Sequence, residues 1–493
     1  MISMDSAPRL RPDVFVVPSG RGTAYVRSST GTDLIAAPGI AAWLDRLTPF
    51  LDGSRTVRQL LDGLDEARRA TVVEVLERLD AHGLVEDLAD PGPAVRAAAY
   101  ARLRVLVVAP ALAADAVAAA LRLTGADPVA QVTDPIEAEA SVDSGQYDAL
   151  LLAAGDEPIR VSRLDAACRR NGMWFAAAVR DADAWWIGPM LAPGPDRPEG
   201  GWLGAWLRLH GTASGDGAAA FGPEGIEVAA PLLVHHFHRA FTAGAHTAAD
   251  ELIRLDPIAL TSSLHHYRPH PAALTAAPES EAEFLAKIAA LRAGAAVDPE
   301  ELSRRAAARI DARTGLIAEL DEGGLPQFPR RAATAVVRDP LTGGAEHRVH
   351  GVGPDFTAAR LRTARRALEV YAQLAADPRR YTPTAAGPAV WAWSPEHGSA
   401  HLVPAAAVFG RGPRAPRGLG SGTTFDAAVR AARQDLRGAS GSGARSRAPA
   451  DTGAGTGAEA SPEASAALLV PLDHDPAATW VLPYLLKAVN PDD

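Results

Sequence analysis

Short apolar runs open the chain. Residues 14–17, 24–27 and 33–36 carry apolar side chains clustered or at alternate positions, with the turn Ser19-Gly20-Arg21-Gly22 between the first two and Pro38-Gly39 after the third. That spacing predicts a three-stranded meander. From Ile40 the period lengthens. Residues 40–50 and 56–64 read as helices around the turn Asp52-Gly53, and residues 66–81 place Val72, Val73, Leu76 and Leu79 at helical spacing. His82-Gly83 ends that helix, Leu84-Val85 returns as a strand, and Pro91-Gly92-Pro93 marks a boundary.

Beyond residue 102 fully apolar strands alternate with helices. Residues 104–109, 128–132, 147–154 and 174–179 read as strands, and 115–124 and 165–171 as helices, the order of a Rossmann-like parallel sheet covered on both faces. A Gly- and Pro-rich stretch begins at Trp185-Trp186, and residues 231–243 and 248–255 read as a closing helix and strand. Helices at 281–293 and 299–310 lead into a second α/β region with long helices at 357–374 and 424–436. Residues 438–465 are so rich in Gly, Ala, Ser and Pro that disorder is expected there. The apolar tail segments 467–472 and 480–489 return to the fold.

Composition narrows the possibilities. Apolar residues fill 47% of 493 positions, enough for cores in roughly two to four domains. A formal charge of −10, with Lys287 and Lys487 as the only lysines, argues against a nucleic-acid surface. The single cysteine, Cys168, excludes an internal disulfide and any multi-thiolate zinc site. No window approaches the roughly 18 uninterrupted apolar residues of a membrane span, and residues 1–13 lack a basic-then-apolar order, so a cytoplasmic location is expected.

Three resemblances cover nearly the whole chain. The run from Tyr25-Val26-Arg27 through Ile40-Ala41-Ala42-Trp43-Leu44, Phe50-Leu51-Asp52-Gly53, Thr56-Val57-Arg58-Gln59-Leu60 and Leu79-Asp80-Ala81-His82-Gly83-Leu84-Val85 resembles the RiPP recognition element, a PqqD-like winged helix-turn-helix. Residues 1–90 are assigned to it. The resemblance implies that a precursor peptide's leader adds a strand to the third strand and lies against the third helix. On this chain the implied peptide-binding residues are Asp33, Leu34, Ile35, Ala36, Arg69, Val72, Val73, Leu76 and Glu77; for Leu34, Val72 and Leu76 a plain core role is an equal reading. An exposed strand edge suits that task, because its free N–H and C=O groups accept an extended peptide.

Residues 102–280 resemble the ThiF-type adenylating fold through residues 104–109, Leu123-Thr124-Gly125, and 164–172 leading to Ile187-Gly188-Pro189 and Pro193-Gly194. The family's Gly-rich phosphate turn is replaced by Ala109-Pro110-Ala111-Leu112-Ala113. Its two CxxC zinc pairs correspond to residues 200–206 and 265–272, which carry no cysteine. Residues 303–493 resemble a shortened YcaO-like domain through residues 311–317, Gly351-Val352-Gly353 before a helix, and Leu419-Gly420-Ser421-Gly422-Thr423-Thr424 before another. Active YcaO domains hold magnesium–ATP with Glu-x-x-Glu-Arg-like helices. Here Glu369 is followed by Val370-Tyr371-Ala372, and the second helix reads Arg433-Gln434-Asp435-Leu436.

Together these resemblances imply an α/β multidomain protein with no catalytic residue and no cofactor or metal of its own. It would be the leader-binding partner in thiopeptide-type azole-peptide biosynthesis, handing the peptide to a separate YcaO cyclodehydratase. An azoline dehydrogenase and a second copy of the chain are further candidate partners; nucleic acid and membrane are not. Two other readings stay open: the chain is itself an ATP-dependent cyclodehydratase, or an adenylating enzyme that releases pyrophosphate. His235, His236 and His238 with His265, His266 and His270, read as a helix and a loop, match no defined metal spacing, and core or solvated histidines are the default. Cys168 reads as core rather than nucleophile. The sequence Gly418-Leu419-Gly420-Ser421-Gly422 is a weak phosphate-loop signal because no lysine follows.

Overall fold

The computed structural model describes the chain except residues 1–2, 12, 19–23, 29–30, 36–39, 89–91, 155–157, 182–183, 210–223, 244–248, 342–344, 411–416, 439–466 and 491–493. Most of the segment expected to be disordered, 438–465, therefore lies outside the described residues. Two compact units result, residues 1–100 and 101–493.

In the first unit β1 (Pro8–Leu10) pairs antiparallel with β5 (Val85–Asp87), while β2 (Phe15–Pro18), β3 (Ala24–Ser28) and β4 (Gly31–Ile35) form the expected meander. Helices α1 (Ile40–Leu47), α2 (Val57–Leu60), α3 (Glu66–Ala81) and α4 (Gly92–Tyr100) complete it. Polar side chains define where helices begin. Thr56 accepts from the Gln59 amide in a capping box, and Asp65 accepts from the Arg68 amide. Gly83, at φ +64°, and the Leu84 N–H donating to the Leu79 carbonyl at 2.9 Å close α3. Ala24 and Val26 share one core with Leu44, Leu47, Val72, Val75, Leu76 and Leu79.

The second unit begins with a seven-stranded sheet. Strands β6 (Val105–Val108), β7 (Pro128–Val132), β8 (Ala149–Ala154) and β9 (Trp174–Asp181) run parallel, and β10 (Ala184–Ile187), β11 (Glu251–Asp256) and β12 (Thr261–His266) extend it antiparallel. Helices α5 (Ala111–Thr124) and α9 (Glu224–Ala243) pack together, α6 (Pro135–Asp143) packs on α7 (Pro158–Arg170), and α7 packs on the short α8 (Gly201–Trp206). Val161, Leu164, Ala167 and Cys168 of α7 bury against Leu106, Leu150, Leu152 and Phe175. The sequence reading differs in several places: α7 and α9 each start seven residues before the expected 165 and 231, and α6 and β10 have no counterpart in it. Residues 265 and 266 are paired strand, not loop: β12 sits at the sheet's edge, and its largely exposed polar side chains hide the strand signal. Helix α5 starts four residues before the expected 115, because Pro110 at its N-cap offers no side-chain oxygen for a sequence reader to recognise.

After α10 (Glu281–Ala293) and α11 (Pro299–Ala307), β13 (Glu319–Asp321), β14 (Arg331–Arg338) and β15 (Glu346–Gly353) form a three-stranded antiparallel sheet. Helix α12 (Phe356–Leu374) packs on it. A second sheet joins β16 (Thr382–Thr384), β17 (Gly387–Trp393), β18 (Ala400–Pro404), β19 (Leu419–Ser421), β20 (Leu468–Pro471) and β21 (Leu485–Val489). Helices α13 (Ala405–Phe409) and α14 (Phe425–Arg437) complete this region, and α14 lies on β19 and β21. The glycine pairs have a packing reason. A Cβ on Gly353 would lie 2.5 Å from the Ala359 nitrogen, and one on Gly420 would lie 2.1 Å from the Ala432 nitrogen. Each strand is thus pressed onto the helix that follows it. Gly420→Val should push α14 off β19 and lower stability by about 1–3 kcal/mol, read from the urea midpoint; an unchanged midpoint would mean the two elements sit farther apart than described. Among the described residues no helix is long and apolar enough to cross a membrane.

Candidate functional site

The outer strand of the meander is the first candidate. β4 pairs with β3 alone in this sheet, so its second edge is free among the described residues. Register places Asp33 opposite Val26, Leu34 opposite Tyr25 and Ile35 opposite Ala24. Ala36 lies outside the described residues. Because strand faces alternate, β3 presents Ala24 and Val26 to the core and Tyr25 and Arg27 to solvent. Phe15 and Val17, the partners of Arg27 and Tyr25 on β2, are 66% and 55% exposed, so the sheet's outer face is strongly apolar.

Helical periodicity divides the candidate residues of α3. Val72 and Leu76 are 0% and 1% exposed inside the unit's own core. They support the surface rather than present it. Arg69, Val73 and Glu77 follow at four-residue spacing along one row, with Arg69 and Glu77 exposed and Val73 half-buried. A cationic, an apolar and an anionic position therefore line one stripe of α3, on the helix whose inner face shares the core of β3.

The second unit contains the segments whose sequence resembles adenylating and ATP-dependent folds, and their surroundings decide what those segments fit. After β6 the chain turns through Pro110, which has no N–H to offer a phosphate, and Ala113 and Ala114 bury at once against the sheet. The two segments that would carry thiolates do meet: the His270 N–H donates to the Gly204 carbonyl at 3.0 Å. What holds them is different chemistry. Trp202 and Trp206 stack at 5.0 Å, and His270 Nδ1 accepts from the Ala272 amide, which leaves it as a cap. Asp165 binds Arg197 and accepts from the Trp202 amide at 2.9 Å. These residues do not fit zinc. Among the described residues no group of three or more His, Cys, Asp or Glu is placed to hold a metal. His236 and His238 of α9 are held below the ordinary histidine range by burial, and His265 pairs with Asp311 at 2.9 Å. Burial pushes the Cys168 thiol up to about 12, opposite to what a nucleophile needs.

The acidic residues of the C-terminal helices are likewise engaged by their own surroundings. Glu369 Oε1 accepts from Ser421 Oγ at 2.7 Å, and its Oε2 accepts from Arg366 Nη1 at 2.9 Å. Arg366 also faces Asp435 at 3.9 Å, and Arg365 donates to the Ser421 carbonyl. Asp435 is raised above the usual carboxylate range by burial and accepts from the Leu419 amide at 3.0 Å. Two carboxylates with a guanidinium between them do not fit a magnesium–nucleotide site, since the cation that needs them is already there.

One further node carries no signal in residue spacing. Arg208, 1% exposed, donates to Asp475 Oδ2 at 2.6 Å, to the Tyr371 hydroxyl, and to the carbonyls of Arg268 and Pro269 at 2.7 and 3.1 Å. It ties the segment after α8 to α12 and to the short helix Pro476–Val481, whose N-cap is Asp475.

No protein-family model matches the chain, and no curated protein matches it. Among solved structures, a heterocyclase in complex with substrate and cofactor aligns over 86% of this chain and 69% of its own, at 14% identity and a TM-score of 0.49. The heterocyclase TruD aligns over 86% and 68%, at 15% identity and a TM-score of 0.42. MccB of E. coli aligns over 54% of this chain and 95% of its own, at 10% identity and a TM-score of 0.38.

Proposed function

We propose that this chain captures the leader segment of a ribosomally made precursor peptide and delivers it to a separate YcaO cyclodehydratase that forms the azoline rings. The observation that carries the reading is the free outer edge of β4. An extended peptide added there continues the antiparallel ladder, so main-chain hydrogen bonds hold it whatever its sequence, and side-chain contacts select among peptides. Arg69, Val73 and Glu77 supply such contacts on α3, and Leu34 and Tyr25 supply them on the sheet. Tethering the leader raises the effective concentration of the core peptide at the partner's active site without any chemistry by this chain.

Delivery and catalysis separate cleanly in a reconstitution. The chain, a candidate precursor peptide and magnesium–ATP are combined with and without a YcaO cyclodehydratase, and loss of water from the peptide is followed by mass spectrometry. Ring formation is expected only when both proteins are present. Dehydration by this chain alone would overturn the non-catalytic reading, because Glu369 and Asp435 would then have to release Arg366 to hold metal.

A further inference from the structure

Within the second unit, three guanidinium groups gather on one indole. The Cζ atoms of Arg309, Arg305 and Arg268 lie 4.8, 5.5 and 5.6 Å from the ring centroid of Trp480. They come from three segments: Arg268 follows β12, Arg305 lies in α11, Arg309 lies just beyond it, and Trp480 belongs to the helix Pro476–Val481. Their partners differ. Arg305 is satisfied by Glu301 at 2.6 Å and by the Trp480 carbonyl at 3.1 Å. Arg208, which also acts electrostatically on Arg309, is neutralised by Asp475.

Among the described residues Arg309 and Arg268 have no such partner. Arg309 is 7% exposed, its Nε is buried without any hydrogen bond, and its side chain makes neither a hydrogen bond nor an ion pair among the described residues. Arg268 is exposed, and among the described residues its side chain makes no hydrogen bond or ion pair beside the indole contact. Asp250 offsets part of the charge on Arg309 without reaching ion-pair distance. A guanidinium removed from water loses more in hydration than an aromatic face returns. Burial, with Arg268 next in size, accordingly drags Arg309 down to about 10. The arrangement lacks one component, an anion.

We propose that Arg309 and Arg268, packed around Trp480, form a binding site for a dianionic phosphate group. Two unpaired guanidiniums bring two positive charges and forked N–H donors, which match a phosphate in both charge and geometry better than a single carboxylate. The site is independent of the peptide edge on β4. The phosphate comes either as free phosphate or as the phosphate of a nucleotide.

The test is thermal unfolding of the full chain in phosphate-free buffer, titrated with inorganic phosphate, ADP or succinate at constant ionic strength. Phosphate is expected to raise the unfolding temperature saturably and succinate to leave it in place. A larger shift with ADP at equal concentration identifies a nucleotide as the source, and an equal shift identifies phosphate itself. Arg309→Met should abolish the response while raising the unfolding temperature without phosphate, because it removes a buried unpaired charge. Arg268→Gln, an exposed substitution, should weaken the midpoint at least tenfold and keeps the test decisive if Arg309→Met fails to fold. No saturable shift, an equal shift with succinate, or an undiminished shift in both variants would overturn the assignment.

Discussion

Asp475→Ala should lower the stability of the second unit by about 3–5 kcal/mol, the loss expected when one partner of a buried ion pair is removed. Asp475 is 1% exposed, and its Oδ2 receives both Arg208 at 2.6 Å and the Tyr371 hydroxyl at 2.6 Å. Its Oδ1 caps the helix Pro476–Val481 through the Ala477 amide at 2.9 Å. Without the carboxylate, Arg208 keeps only carbonyl and hydroxyl partners around a full buried charge. Replacing the node by apolar groups, as in Arg208→Met with Asp475→Leu and Tyr371→Phe, removes the charge together with its counter-charge. That triple variant should therefore recover much of the loss. Urea unfolding checks both, and a single Asp475→Ala variant with a wild-type midpoint would show that the node contributes nothing.

Mild acid should destabilise the protein through two histidines, His474 buried and His236 half-buried. His236 and His474 are each lowered to about 4, in both cases chiefly by burial, with Arg239 and His235 adding to the effect at His236 and Arg380 at His474. The hydrogen bonding agrees at His474, whose Nδ1 accepts from the Asp377 amide at 2.8 Å and so cannot carry a proton there. The sign follows from the direction of the shift. In the unfolded chain each imidazole takes a proton near its ordinary 6.5, whereas in the folded chain it waits until about 4. The unfolded state thus binds more protons in that window, and stability falls as pH drops through 6.5 toward 4. Between pH 7 and 5 the two sites together should remove roughly 3–4 kcal/mol. His474→Phe, facing the rings of Phe409 and Tyr381 at 4.6 and 6.0 Å, should roughly halve that slope even if it lowers stability at pH 7. A slope identical to that of the parent protein would remove His474 from the account.

The local code was legible where one element's own residues decide it. The apolar period of residues 281–293 and 357–374 marks α10 and α12 to within a residue, and Ser280 and Asp355 supply the caps that start them. The meander was legible too, since alternation and a Gly-containing turn suffice for β2 to β4. Two kinds of information were not available from spacing. Helical periodicity could not say which side of α3 faces the core, so Val72 and Leu76 stand among the candidate residues with Val73, although of these α3 candidates Arg69, Val73 and Glu77 reach solvent and Val72 and Leu76 do not. Long-range partners were also hidden: Arg208 and Asp475 lie 267 residues apart, and a chain with so many arginines gives no hint which one is buried. The same holds for Glu369, whose engagement by Arg366 and Ser421 depends on how α12, β19 and α14 meet.

Capture of a peptide at β4 is tested most directly by fluorescence polarisation of a labelled leader segment from a candidate precursor peptide, titrated with the full chain and with its Leu34→Asp variant. Leu34 lies within β4, opposite Tyr25 of β3 in register, so the substitution falls on the strand whose edge would receive the peptide. Binding in the micromolar range or tighter, weakened at least tenfold in the variant with its unfolding midpoint kept, is the expected result. Failure of the full chain to bind the leader, or equal binding by a folded Leu34→Asp variant, would contradict strand addition at this edge.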